Sequence, residues 1–189
     1  MKLEEFNYNL PKELIAQEPV EPRDSCRLMM LDKNTGAWEH HHFRDILDEI
    51  RPGDVFVFNN TKVIPARLYG KKRTTGGKVE MLLLTPKGND VWEVLVNPGK
   101  QALPGTEIEF SDSCYCKVLD KTDFGGRVVE FHYDGNFDSL LDQLGEMPTP
   151  PYIHKKLENK DEYQTVYAKY KGSAAAPTAG LPFTPELME

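Results

Sequence analysis

Apolar and polar positions alternate in short runs along most of the chain, and the spacing of these runs predicts the secondary structure. An apolar run at residues 28–31, a turn-forming stretch and a return at residues 37–42 predict a hairpin. Apolar residues at helical spacing over residues 43–50 predict a helix. The continuous apolar run at residues 55–58 predicts a strand buried on both faces, which is typical of α/β proteins.

The middle of the chain, from residue 67 to residue 147, has a different pattern. Short apolar runs are separated by Gly, Pro, Asp and Asn clusters, as in antiparallel barrels and sandwiches. The runs lie at residues 79–84, 91–96, 106–110, 115–119 and 127–133. A single amphipathic run at residues 138–144 predicts one short helix, and residues 147–151 are rich in proline, as expected of a rigid exit linker.

These patterns together predict the fold class and the domain organisation. The segments on either side of the middle region are typical of α/β structure, whereas the middle region is typical of all-β structure. We therefore predict a multidomain α/β (α+β) protein. A major α/β domain resembling part of an α/β barrel comprises residues 1–65 and 151–189. It is interrupted at residues 66–150 by a small antiparallel Greek-key β-barrel.

Composition narrows the class further. The 189 residues carry a net charge of -7 and are 39% hydrophobic, which excludes collagen, coiled coil and disorder. The chain has neither a run long enough for a membrane helix nor a secretory signal, so we expect a cytoplasmic protein without membrane contact. Three cysteines, with Cys114 and Cys116 two apart in one predicted strand, favour free buried thiols over a disulfide framework.

Charge is unevenly distributed. Six cations follow one another with no acidic residue between them, which is unusual in an acidic chain. They are Lys62, Arg67, Lys71, Lys72, Arg73 and Lys78, and we call them the basic cluster. Clustered cations can bind nucleic acid through phosphate neutralisation even when the net charge is negative. The alternative is a solvated loop.

Two further regions carry candidate chemistry. Asn59, Asn60 and Thr61 end the predicted buried strand, the position at which α/β folds tend to place binding sites. The run at residues 163–168 is followed by an Ala-, Gly-, Pro- and Thr-rich loop, whose backbone can approach a planar ligand closely. The three histidines at positions 40–42 alternate in direction along a strand and have no partner at zinc spacing, so we predict no metal site.

Six strings closely resemble the S-adenosylmethionine:tRNA ribosyltransferase-isomerase family, QueA, and they occur in order along essentially the whole chain. Several independent strings at the right spacing are far more specific than one motif. They are FNYNLPKELIAQ at residues 6–17, RDSCRL at 23–28, FVFNNTKVIPAR at 56–67, PPYI at 150–153, YQTVYAK at 163–169 and AAPTAGL at 175–181.

The resemblance implies a transferase of queuosine biosynthesis. Its partner would be a tRNA that carries 7-aminomethyl-7-deazaguanine at the wobble position. S-adenosylmethionine would act as ribosyl donor, giving epoxyqueuosine and releasing adenine and methionine, with no metal. The sulfonium acidifies the adjacent C5′–H, so most of the chemistry belongs to the co-substrate. We expect a monomer.

Matching the strings position by position implies the site residues. The candidate catalytic residues are Asn59, Thr61, Arg67 and Thr178. The candidate co-substrate residues are Tyr163, Gln164, Thr165, Tyr167, Pro177, Thr178, Ala179, Gly180, Phe183 and Thr184. The candidate tRNA contacts are Lys62, Arg67, Lys71, Lys72 and Arg73. The resemblance leaves the general base unassigned, and it leaves Asp24 and Arg27 open between a structural pair and site residues.

The sequence departs from the family pattern in two places. Pro182 stands where the family has His, which removes an imidazole and a backbone donor. Family members also continue well beyond the position of Glu189. The alternative function is therefore a truncated, catalytically inactive remnant that binds tRNA or a nucleoside.

Overall fold

The structure, a computed structural model, describes residues 1–189 except for the side chain of Gln101. The chain folds as two compact units. The first unit comprises Met1–Val55, Thr149–Glu162 and Pro182–Glu189, and the second unit comprises Phe56–Pro148 and Tyr163–Leu181. The predicted division into residues 1–65 with 151–189 and residues 66–150 stays a prediction.

Strands are the main regular elements. The strands are β1 (Arg27–Leu31), β2 (Trp38–His42), β3 (Thr61–Val63), β4 (Arg67–Lys72), β5 (Lys78–Gly88), β6 (Val91–Asn97), β7 (Glu107–Ser111), β8 (Cys114–Lys121), β9 (Arg127–Tyr133) and β10 (Tyr170–Ser173). The α-helices are α1 (Phe137–Leu144) and α2 (Pro185–Met188). The 3₁₀ helices are Leu3–Phe6, Lys12–Leu14, Arg23–Ser25, Phe43–Glu49, Gly99–Gln101, Lys160–Tyr163 and Thr178–Gly180.

The first unit contains the predicted hairpin. Strands β1 and β2 pair in antiparallel register from Arg27 opposite His42 to Leu31 opposite Trp38. The turn is held by the Asp32 carboxylate, which accepts hydrogen bonds of 2.8 Å from the backbone N–H groups of both Asn34 and Thr35. These bonds stabilise the ionised carboxylate and lower the pKa of Asp32. The hairpin prediction is confirmed.

Short 3₁₀ helices make up much of the rest of this unit. The predicted helix after β2 forms, but over Phe43–Glu49 and as a 3₁₀ helix. The Phe43 side chain is buried and meets the Phe183 ring edge-on, with the centroids 4.9 Å apart. The amide of Gln17 ties the N-terminal part to residues 149–162, since it donates to the Tyr152 carbonyl (2.9 Å) and accepts from His154 N (2.7 Å).

The prediction of a buried strand at residues 55–58 is wrong. The segment is extended but pairs with no strand in the described part of the chain, and Val55 and Val57 are 87% and 93% exposed. The reason is the extent of the neighbouring ladder. Strand β10 pairs in parallel with β3 only from Thr61 onwards, so residues 55–58 lie beyond the end of this ladder.

The second unit is built around a closed barrel of six strands in the order β4-β5-β6-β9-β8-β7, in which every pair is antiparallel. The neighbours β6-β9-β8-β7 form a Greek key, because three consecutive strands are joined by hairpins and β6 lies beside the last of them. All five predicted strand runs of the middle region lie in this barrel. The predicted mixed class with a small antiparallel barrel is therefore confirmed.

Alternation along the strands fills the barrel. On β5 the side chains of Val79, Met81 and Leu83 are at most 2% exposed, whereas Glu80 and Leu82 between them are half-buried. This period of two is the pattern that the apolar runs predict. Strand β4 was not among the predicted runs, because four of its six residues are polar, charged or glycine. Its Leu68 is nonetheless fully buried.

Helix α1 covers one part of the barrel core and confirms the prediction for residues 138–144. The Asn136 side chain caps it by accepting from Ser139 N at 3.1 Å. Leu140 and Leu141 are buried, and the Phe137 ring packs on Phe131 with centroids 5.1 Å apart.

The chain enters and leaves the barrel side by side. The backbones of Arg67 and Glu146 form an antiparallel bridge, with N···O distances of 3.1 and 2.8 Å. Gly145 fits here because a Cβ atom would lie 2.0 Å from the Pro65 carbonyl oxygen.

A buried arginine closes one end of the barrel. Arg127 is 6% exposed, and its guanidinium donates to four backbone carbonyl groups. These carbonyls belong to Gly99, Ala102, Gly125 and Gly126. The side chain thereby joins the loop that follows β6 to the turn that precedes β9.

Candidate functional site

The strand end after Phe58 and the run at residues 163–168 come together in the second unit. The Gln164 side-chain amide binds the Val63 backbone at both of its polar groups. It accepts from Val63 N at 2.9 Å and donates to Val63 O at 2.7 Å. The amide of Gln164 thus acts as one further peptide group beside β3, and it fixes the two segments relative to each other.

The polar strand end is held by the parallel ladder between β3 and β10. The Asn59 side chain accepts from Thr61 N at 3.1 Å, and the Asn60 carbonyl accepts from the backbone N–H groups of Lys169 (2.8 Å) and Tyr170 (3.2 Å). The Thr61 hydroxyl donates to Tyr170 O at 3.4 Å. Asn59 is exposed, so its amide NH₂ faces solvent at a fixed position.

Tyr167 joins this cluster to the small-residue loop. A Cβ atom on Gly180 would lie 1.9 Å from the Tyr167 hydroxyl oxygen, so the phenol rests directly on the Gly180 backbone. The Phe58 ring meets the Tyr167 ring edge-on at 4.9 Å between centroids. Burial raises the pKa of the Tyr167 phenol, an effect that the neighbouring Thr165 side chain partly opposes. The phenol is therefore neutral at physiological pH and can donate a hydrogen bond.

The loop itself presents backbone rather than bulky side chains. Ser173 Oγ donates to Ala175 O (2.8 Å), and the same oxygen accepts from Ala175 N (3.1 Å). Pro177 precedes the 3₁₀ turn Thr178–Gly180, and Thr178 and Ala179 are exposed while Gly180 is buried. A ligand can therefore approach the backbone of this turn closely.

Several predicted site residues occupy structural positions. Tyr163 ends the 3₁₀ helix Lys160–Tyr163 and is buried, as is Thr165. The four-residue spacing of Tyr163 and Tyr167 would fit one helical face, but the helix ends at Tyr163 and turns follow it.

Phe183 and Thr184 belong to the first unit, where Phe183 packs on Phe43 and Thr184 caps α2 by accepting from Leu187 N at 3.3 Å. Asp24 pairs with Arg44 at 3.3 Å.

The basic cluster is largely paired with carboxylates of neighbouring strands. Arg67 lies 3.0 Å from Glu80, and Lys71 lies 3.2 Å from Glu109. Arg73 lies 3.1 Å from Glu107 and stacks over the Tyr115 ring at 3.8 Å.

Glu80 lies on β5, two residues after the cluster, whereas Glu107 and Glu109 lie on β7, where no local sequence signal reveals them. Lys72 is 9% exposed, whereas Lys62 and Lys71 are exposed.

The thiols show no sign of reactivity. Cys26, Cys114 and Cys116 are free, and burial raises the pKa of Cys114 to about 11 and the pKa of Cys116 still further. Among the described residues, no group of three or more His, Cys, Asp or Glu side chains is placed to hold a metal ion. Within the same part of the chain, no helix is both long and apolar enough to span a membrane.

The closed Greek-key barrel lies in the sequence between β3 and β10, which pair in parallel. Beside this pair, a polar strand end and a loop of small residues form a candidate ligand site. These features define an α/β protein with a β-barrel. The sequence matches, over residues 3–189, the model of the family described as queuosine biosynthesis protein. The chain belongs to this family.

Curated relatives support the same assignment. The protein of Thermoanaerobacter sp. (strain X514) is 57% identical over 190 residues, which cover 100% of this chain and 56% of that protein. The protein of Clostridioides difficile (strain 630) is 56% identical, with coverage of 100% and 55%. Both are named S-adenosylmethionine:tRNA ribosyltransferase-isomerase. The chain therefore spans about half the length of the curated relatives that it matches.

A solved structure is also similar in sequence. The crystal structure of S-adenosylmethionine tRNA ribosyltransferase from Thermotoga maritima shares 36% identity with this chain. The alignment covers 97% of this chain and 52% of that one, with a TM-score of 0.39.

Proposed function

We propose that this chain acts as a tRNA-modifying transferase of queuosine biosynthesis. It would move the ribosyl moiety of S-adenosylmethionine to 7-aminomethyl-7-deazaguanine at the tRNA wobble position and give epoxyqueuosine. Family membership and the names of the relatives support this proposal. The structural observation that carries it is the contact of the segments bearing Gln164 and Tyr167 with Val63 and Gly180.

The residues of this cluster fit a nucleoside co-substrate. Phe58 and Tyr167 offer aromatic surface to an adenine ring, and the exposed backbone of the turn at Thr178 and Ala179 offers polar groups to the base and ribose. When bound, S-adenosylmethionine supplies a sulfonium that acidifies its C5′–H. Asn59 and Thr61, at the rigid end of β3, are the proposed groups that orient the reacting part.

The proposed tRNA contacts are Lys62, Lys71, Arg73 and Arg67, and these cations position phosphates rather than read sequence. An ammonium group has three donors and a guanidinium group has five, so Lys71 and Arg73 can bind a phosphate while they keep their carboxylate partners. Lys72 is buried, and its proposed role is to support the strand that carries its neighbours. We propose that the protein works as a cytoplasmic monomer without a metal.

The first experiment is adenine release by the chain in the presence of S-adenosylmethionine and tRNA that carries the aminomethyl-deazaguanine, beside a reaction without tRNA. Turnover that requires both substrates supports the proposal. Thr178→Ala is then expected to lower turnover about tenfold or more, because it removes a hydroxyl from the proposed site. Thr85→Ala, at an exposed position on β5, is the matched control and should leave turnover unchanged.

A second candidate is RNA binding without turnover, which Pro182 favours because it carries neither an imidazole nor a backbone N–H. Salt-sensitive tRNA binding with no adenine release would select this candidate. In either case the double variant Lys71→Ala/Arg73→Ala should weaken tRNA binding. Unchanged affinity in that variant would remove these two residues from the interface.

A further inference from the structure

The barrel carries an open cleft of about 720 Å³, and its lining includes none of the residues proposed to hold the co-substrate. The cleft lies beside the end of the pairing between β4 and β7. These strands pair at only two positions, Lys71 opposite Glu109 and Lys72 opposite Ile108. Beyond them, Tyr69 and Gly70 line one side and Phe110, Ser111 and Asp112 line the other. A volume of this size lies within the range of ligand sites, about 300–1,000 Å³.

Aromatic and backbone surfaces form part of the cleft. Tyr69 is 53% exposed although it sits in the middle of a strand. Gly70 lets the opposite wall come close, because a Cβ atom there would lie 2.9 Å from the Phe110 ring. An exposed aromatic ring in a concave wall is the feature on which unpaired bases stack in single-stranded nucleic-acid sites.

The charges around the cleft are compatible with a bound phosphate, although its lining contains acidic residues. Two of its carboxylates are already neutralised, since Glu80 pairs with Arg67 and Glu109 pairs with Lys71 and Arg73. Lys78 has no ion pair among the described residues, and it lies opposite Lys71 in the β4–β5 register. Asn97 and Asp112 add hydrogen-bonding groups at the rim, and these groups can meet the edge of a base.

We propose that this cleft binds one unpaired nucleotide of an RNA, with the base against Tyr69 and a phosphate beside Lys78. The inference rests on the proposed function, because it takes the RNA substrate as the occupant. It adds a second RNA contact on the barrel, beside Lys71 and outside the site of ribosyl transfer.

The test measures the affinity of the full chain for a labelled single-stranded RNA and for tRNA by fluorescence anisotropy. Tyr69→Ala should weaken binding about tenfold through lost stacking, and Tyr69→Phe should bind like the original chain because the ring remains. Lys78→Ala should weaken binding and reduce the salt slope by about 0.7 for single-stranded RNA. Lys117→Ala, an exposed lysine on β8 outside the cleft, should change nothing.

The outcomes separate this inference from the proposed function. Unchanged affinity in both Tyr69→Ala and Lys78→Ala overturns the cleft, even if the chain releases adenine. Weakened affinity in these two variants, with Lys117→Ala unaffected, supports the cleft, even if no adenine is released. If the chain binds neither RNA, the cleft and the RNA-binding part of the proposed function are both overturned.

Discussion

Arg127 brings a guanidinium into the barrel end, where its described partners are backbone carbonyl dipoles. Replacing it by methionine keeps much of the volume but leaves several carbonyl groups without a donor, each at a cost of about 1–3 kcal/mol if it stays buried. We expect Arg127→Met to lower the free energy of unfolding by about 3 kcal/mol in urea denaturation. Arg51→Met, at an exposed arginine, should stay within about 0.5 kcal/mol of the original chain.

The contact between Tyr133 and Asp90 should make a pH-dependent contribution to the free energy of unfolding. The phenol donates to the Asp90 carboxylate at 2.6 Å, and this hydrogen bond, with burial, raises the pKa of Tyr133 to about 12. Because the folded pKa lies above the ordinary value of 10.0, the contact stabilises the fold fully below pH 10 and loses its effect as pH rises towards 12.

A spectrophotometric titration of the phenolate checks the assignment. Asp90→Asn should return the late-titrating phenol towards its ordinary pKa, because the negative charge is removed. Asp123→Asn, in an exposed turn, is the control. A titration curve that Asp90→Asn leaves unaltered would contradict the contact.

Gly180 allows the Tyr167 hydroxyl to lie directly against the backbone in the candidate site. A Cβ atom there would overlap the Tyr167 hydroxyl, so Gly180→Ala should lower the free energy of unfolding by about 2 kcal/mol. Adding Tyr167→Phe should restore part of that loss, since it deletes the clashing oxygen. Gly99→Ala is the control, because its nearest atom would lie at an ordinary 3.8 Å. Absence of any rescue by Tyr167→Phe would count against this contact.

At the scale of elements, Gln164 links the run that precedes β10 to strand β3. Gln164→Leu removes both hydrogen bonds to Val63 and leaves that peptide group unsatisfied. A loss of about 1.4 kcal/mol, the size of one or two net hydrogen bonds, corresponds to tenfold faster local opening. We therefore expect the Val63 amide to exchange with solvent about tenfold faster in this variant. Gln143→Leu, on the exposed face of α1, should leave the rate unchanged.

Elements with local signals could be predicted from the sequence, and elements set by distant partners could not. The period of two in β5 and the capped helix α1 are local, and both predictions hold. The run at residues 55–58 has the composition of a buried strand but lies beyond the end of the ladder between β3 and β10. Strand β4 was missed because its charges dominate its sequence, while its place is set by pairing with β5 and β7.

In the candidate site, too, local motifs could be predicted from the sequence and contacts with distant partners could not. The motifs at residues 59–62, 163–167 and 177–180 could be identified as strings, and the contacts between Gln164 and Val63 and between Tyr167 and Gly180 join these segments. The assignment of these residues to the site stays a prediction. The carboxylates that pair with the basic cluster could not be foreseen, because Glu107 and Glu109 lie more than thirty residues further along the chain.

At the scale of the whole molecule, the apolar core is concentrated in one unit. Its buried members, from Ile64 to Leu141, all lie in the second unit, whereas Phe43 is the buried large hydrophobic side chain among the described residues of the first unit. Burial of apolar surface is the dominant stabilising term in folding. The first unit should therefore open more readily than the barrel.

Hydrogen exchange followed by mass spectrometry tests this expectation. Peptides from β5, β8 and β9 should stay protected longest, while peptides from Met1–Val55 should exchange at least about tenfold faster under the same conditions. Equal protection in the two units would mean that stability is shared despite the uneven core.

The bridge between Arg67 and Glu146 has a consequence for deletion of the barrel segment. It holds the two ends of the intervening stretch at the spacing of one antiparallel pair, about 4.5–5.5 Å between Cα atoms. A single added residue spans about 3.8 Å, so deleting that stretch from a gene would leave a gap that a short glycine splice could close. The barrel segment thus has ends that a deletion could join without displacing the chain on either side of the bridge.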